Sequence, residues 1–379
     1  MTRPPSKTSK VKVVGSRALG VENLSPHEIL KKADEYWENL NSNKALKLYE
    51  KVIANVAILP STDDNMSVMI DALQSSASIL AQEGRIDEAI AHFKRAIEIS
   101  PNSGYEKYMS LAQLSEGDEA VNLYQMGIKI ISDTLKTLTS ENLTELQKLN
   151  RDLSIAHCAI AEVYMVDLSD DPSNTAIVQQ QIDKAIEVDE CNPQAWYVNA
   201  SNLFLTGRHD EAKGSIEKCL SLYWPEIERI FNEKMEGEDV NVEEGDDKLA
   251  ADLEELSGMP PEKHFEMVLM LSELQMHEQA EKILILLSEI DDTNPDVMFQ
   301  LALVARTVHG ESDPQLVRHY VKGALEVCAQ DPEMVSDLTD ILSALPAESE
   351  GEEDGDDTDD GDLETDSDEL DEEEYMEIE

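Results

Sequence analysis

The sequence predicts an all-α protein: an array of about seven stacked helix pairs ending in a disordered acidic tail. Three observations carry this. Residues 70–102, IDALQSSASILAQEGRIDEAIAHFKRAIEISPN, set small residues, large residues and a proline at the spacing of two short helices and a turn. Weaker copies of the same spacing recur on both sides, the mark of a repeat architecture. Residues 346–379 then hold twenty Asp and Glu and no Lys or Arg, a composition that cannot bury enough apolar surface to fold.

In the clearest unit Ala77 and Leu80 fall on the first helix, Ala89, Phe93 and Ala96 on the second, and Pro101 closes it. Gly84, in Glu83-Gly84-Arg85, supplies the positive φ that ends the first helix. This spacing resembles a tetratricopeptide (TPR) repeat of about 34 residues. The resemblance implies a superhelix whose first helices line an inner wall.

Residues 1–24 carry Arg3, Lys7, Lys10, Lys12 and Arg17 against one acid, Glu22. With Pro4, Pro5 and several Ser residues they predict a disordered basic arm: a solvated tail, a nuclear import signal or a self-masking segment. The array is expected over 25–345. Ser25-Pro26-His27-Glu28 reads as a capping box with Pro at the first helical position. Ala33, Tyr36, Ala45, Tyr49 and Val52 then give repeat one, with its turn at 39–43. Residues 70–102 are repeat two. Repeat three covers 106–131 through Leu111, Gly117, Ala120, Tyr124 and Gly127, with a first helix kept short by Pro101 and Gly104. Residues 134–153 match no repeat, but their leucines fall at three- and four-residue steps and predict a helical extension. Ala161, Tyr164, Ile182 and Ala185 give repeat four, its turn lengthened by residues 167–174.

Repeat five runs over 193–225, through Trp196, Ala200, Leu203, Gly207, Ala212, Ile216 and Cys219, with Pro225 expected to end it. Residues 235–248, MEGEDVNVEEGDDK, predict an acidic loop. Repeats six and seven are expected at about 261–294 and 298–331. An amphipathic helix at 334–345 then caps the array, as an end repeat requires.

The chain has 379 residues and a formal net charge of −51, with 81 Asp and Glu against 30 Lys and Arg. Such a field repels nucleic acid and anionic membranes and favours a cationic partner. No apolar run approaches the roughly 20 residues a membrane helix needs. The four cysteines, Cys158, Cys191, Cys219 and Cys328, fall in helical patterns without C-x-x-C spacing, so they read as small buried hydrophobes in a reducing compartment. No phosphate-cradling, zinc or calcium motif is present. No catalytic residue, cofactor, metal or small-molecule substrate is expected, and the chain reads as a non-enzyme.

Functional candidates are then the polar positions between packing residues on the first helices: Gln74, Ser78, Tyr197, Ser201 and Asn202. In the tail, Asp356, Asp357, Asp359, Asp360, Glu372, Glu373 and Glu374 are candidate electrostatic contacts for a basic client. The TPR class that grips acidic chaperone C-termini needs a K-x-x-G-N pattern that is absent, and Lys94-Arg95-Ala96 lies on a second helix.

Three stretches, LSPHEILKKADEYWENLNSNKALKLYEKVI, YMSLAQLSEGDEAVNLYQMGIKII and NPQAWYVNASNLFLTGRHDEAKGSIEKCL, together with the acidic C-terminus, make residues 20–379 similar to fungal assembly chaperones of large-subunit ribosomal protein four. That resemblance implies capture of a newly made basic ribosomal protein, protection from aggregation, escort from cytoplasm to nucleus and delivery to pre-ribosomes. Two alternatives stay open: an acidic TPR histone chaperone, and a scaffold with an inert tail.

Overall fold

The computed structural model describes residues 24–139, 142–169, 171, 173–236 and 242–346. The basic arm before Leu24 and the tail after Pro346, with its seven candidate contacts, lie outside the described residues. Fourteen of the helices form seven pairs: α1 (Pro26–Glu38) with α2 (Ser42–Val56), α3 (Asp63–Gln82) with α4 (Ile86–Ile99), α5 (Glu106–Gln113) with α6 (Gly117–Leu135), α7 (Leu143–Val166) with α8 (Asn174–Val188), α9 (Pro193–Leu205) with α10 (His209–Glu236), α12 (Pro261–Glu273) with α13 (His277–Ile290), and α14 (Pro295–His309) with α15 (Pro314–Val327). An extra helix, α11 (Val242–Ser257), stands between pairs five and six, and α16 (Pro332–Ala344) closes the end.

The pairs form because each second helix repeats one packing triad at positions i, i+4 and i+7. These are Ala45/Tyr49/Val52, Ala89/Phe93/Ala96, Ala120/Tyr124/Gly127, Val178/Ile182/Ala185, Ala212/Ile216/Cys219, Ala280/Leu284/Leu287 and Val317/Val321/Ala324, all buried. The first member is Ala or Val and lets the partner helix approach; the second fills the space between pairs. The core is accordingly several patches, one spanning Leu24 to Leu123 and another joining α7 to α14.

The capping box is present at Ser25, where the side chain accepts from the Glu28 N–H and Glu28 reaches back. Four of the seven turns inside pairs share one bond pattern. Arg85 N–H donates to Leu80 O, Arg208 to Leu203, Asn41 to Tyr36 and Met276 to Leu271, each at 2.8 Å. The residue before each donor is left-handed: Gly84 and Gly207 at φ 75°, Leu40 at 55° and Gln275 at 63°. This is the Schellman ending of a helix.

Four expectations need correction. Pro225 does not end repeat five; it lies inside α10, which continues to Glu236. An interior proline costs about 3 kcal/mol, and the continuation is held by Tyr223 and Ile227, both buried in the same core patch as Leu249 and Leu253 of α11. The acidic stretch at 235–248 is helical at both ends, and only residues 237–241 lie outside the described residues. Leu249 and Leu253 are buried and anchor the second half of α11. The extension at 134–153 is broken: α6 stops at Leu135, and α7 starts at Leu143 and runs unbroken into the first helix of pair four. Cys191 is exposed in the α8–α9 turn, whereas Cys158, Cys219 and Cys328 are buried.

Candidate functional site

In three places the first helices of successive pairs touch one another: α1 with α3, α7 with α9, α9 with α12. Close approach of first helices puts them on the inside of the array's curve. The groove between α5, α7 and the start of α9 has a volume of about 490 Å³ and is lined by Tyr105, Glu106, Tyr124, Asp152, Glu162 and Gln194, with Lys148 as its one cation. Tyr105 donates its hydroxyl to Asp152. A second groove of about 440 Å³, between α12, α13 and α14, is lined by Glu262, Glu266, Asp291 and Asp296 beside Phe265 and Ile290.

The two grooves are joined by a chain of contacts. Lys263 Nζ lies 3.6 Å from Glu162 and 3.0 Å from Glu266, and Tyr197 donates its hydroxyl to Glu266 at 3.3 Å. In the first pair Tyr49 donates to Asp34 at 2.6 Å. Each time a tyrosine hydroxyl satisfies one carboxylate oxygen and leaves its charge in place. Burial raises the Glu162 carboxyl above its ordinary range, against the opposing pull of Lys263. Burial and then the Asp34 charge raise Asp71, opposed by His27. Desolvation is the first cause of both shifts, and it disfavours the charged form of a carboxyl whatever its neighbours.

The structure sorts the five sequence candidates. Gln74 is half-buried on α3 and Ser78 is exposed there, its hydroxyl turned back onto the Gln74 carbonyl at 3.2 Å. Tyr197 is buried rather than open, and only its hydroxyl reaches the wall, at Glu266. Ser201 is half-buried and donates to the Tyr197 carbonyl. Asn202 is buried and donates to Gln179 of α8 at 3.0 Å; it ties α8 to α9. Sequence reasoning missed Asp152, Glu162, Lys263 and Glu266. The signal was there on α7: Asp152, Ile155, Ala156, Ala159 and Glu162 all line the first groove, a helical stripe of small and apolar residues bracketed by acids.

The other chemistry-bearing side chains are absorbed by packing. His157 Nδ1 bonds Gln181 at 2.7 Å, and burial lowers its imidazole. Burial pushes the Cys158 and Cys219 thiols far up, so neither is a thiolate. Among the described residues no group of three His, Cys, Asp or Glu is placed to hold a metal, and no helix is long and apolar enough to cross a membrane.

The tetratricopeptide repeat family matches residues 70–103, the unit on which the repeat register was built. A solved structure described as "Assembly Chaperone of RpL4 (Acl4) (Residues 1-338)" superposes with a TM-score of 0.57, covering 77% of this chain and 99% of that one at 20% identity. The fold is a TPR superhelix. Two curated relatives are each named "Probable assembly chaperone of rpl4". The Schizosaccharomyces pombe protein is 28% identical over 235 residues, 61% of this chain and 61% of its own length. The Emericella nidulans protein is 28% identical over 136 residues, 32% of this chain and 34% of its own. The match thus spans about three fifths of the first relative and one third of the second.

Proposed function

We propose that this protein is a dedicated, non-catalytic chaperone that binds a newly made basic large-subunit ribosomal protein, of the kind named for its relatives. The observation that carries the reading is the acidic lining of the two joined grooves, from Glu106 on α5 to Asp296 on α14. Glu106, Asp152, Glu162, Glu262, Glu266, Asp291 and Asp296 stand there against Lys148 and Lys263. A Lys- and Arg-rich segment laid along it would complement that charge, and ribosomal proteins carry such segments to meet RNA. The client would stay soluble while bound, travel from cytoplasm to nucleus, and leave when the denser charge of ribosomal RNA outcompetes the wall.

Affinity purification of the full chain from growing cells tests this. The expected result is one large-subunit ribosomal protein in stoichiometric amount. Histones without ribosomal protein, or neither, would overturn it.

A further inference from the structure

The other side of the array carries a feature the client wall does not use. A groove of about 300 Å³ runs between the second helices α10 and α13. Leu220, Trp224, Pro225 and Ile283 line it, and the exposed acids Glu217 and Glu278 stand at it. A recess of about 120 Å³ continues it past Trp224 to Ile227 and Phe231. Lys282, the groove's cation, is already paired with Glu228 at 2.9 Å, so the groove's net charge is negative.

Two polar groups in this apolar trough depart from ordinary hydrogen bonding. Pro225 has no N–H, so the ordinary α-helical bond to the Ser221 carbonyl, four residues earlier and also in the lining, is not made. Trp224 Nε1 is buried without a hydrogen-bond partner among the described residues. An apolar floor and an acidic rim match a short extended stretch bearing aliphatic and cationic side chains.

This chain contains such a stretch: Lys10-Val11-Lys12-Val13-Val14. Extended, it puts Val11 and Val13 on one face and the two lysines on the other, whose long stems reach a rim. It belongs to the one strongly basic segment of a chain with net charge −51. The acidic residues 346–379 have the same sign as Glu217 and Glu278 and are excluded on charge. We infer that the N-terminal arm of this protein docks through residues 10–14 into the α10–α13 groove, in its own copy or a second one.

A photoreactive benzoylphenylalanine in place of Val13 of the full-length chain tests the contact. Crosslinks to residues 217–225 or 278–283, within or between copies, support it. Crosslinks confined to the inner wall, around Asp152, Glu162 or Glu266, or no crosslink, overturn it. The charge-reversed groove E217K/E278K should cut the yield by about five-fold or more. So should K10E/K12E, which changes no residue of a described helix and keeps the test open if the groove variant folds poorly. Unchanged yield in K10E/K12E would refute the electrostatic fit.

Discussion

His264 shows how a single side chain can report on the whole array. It is fully buried on α12, its Nδ1–H donates to the Pro260 carbonyl at 3.0 Å, and its ring stands edge-on to Tyr223 at 5.6 Å. Burial pushes its imidazole down to about 4. In the unfolded chain it takes a proton near pH 6.5. Between those values the unfolded state binds a proton that the folded state refuses, so stability falls as pH drops from 6.5 towards 4. The slope from this residue is about 1.4 kcal/mol per pH unit. Buried His157 and His92 act in the same direction, while the raised carboxyls of Glu162 and Asp71 act in the opposite one. The comparison of His264→Gln with wild type isolates the residue. Urea midpoints between pH 4.5 and 7 should depend less steeply on pH in the variant, and equal steepness would refute the assignment. At this scale the sequence was legible for packing and poor for the wall. Whether Asn202 faces a groove or Gln179 is decided by a rotation of one helix on its neighbour, which no spacing within α9 encodes.

The turn inside each pair is the element where local chemistry speaks most directly. Gly84 holds φ 75° with nothing near the place a Cβ would occupy, so Gly84→Ala tests conformation alone. It should cost about 1–2 kcal/mol. Leu40 occupies the same left-handed position in pair one and is 90% exposed. Leu40→Gly should therefore gain up to about 1 kcal/mol, since its side chain packs on little. Thermal melts of the two variants should move in opposite directions, and a fall in both would show that Leu40 does more than turn the chain. Gly84 and Gly207 made two of these turns readable in advance, and Asn39 and Asn41 made a third. The region after Trp224 was misread because Pro225 and a run of acids are strong breakers taken alone. Tertiary burial of Ile227, Leu249 and Leu253 outweighs both.

For the whole molecule, charge governs behaviour more than any contact. If the wall holds a basic client, Glu266→Lys should weaken binding by about ten-fold and flatten its dependence on salt. Removal of residues 346–379 should weaken binding less, yet also reduce salt sensitivity, because it takes away twenty negative charges. Titration of the client at two or more ionic strengths decides it, and a salt slope unchanged by the deletion would leave the tail without an electrostatic role. The repeat register was readable in all seven pairs because the same triad is written seven times. The wall was not, because its members come from different pairs and meet only after stacking. The patchwork core has a further consequence during synthesis. Every residue of the first patch lies between Leu24 and Leu123, so the opening pairs can close while the remainder is still to be synthesised. A protein built this way can mature from its first end, with the opening pairs standing as a base on which the later pairs stack as they emerge.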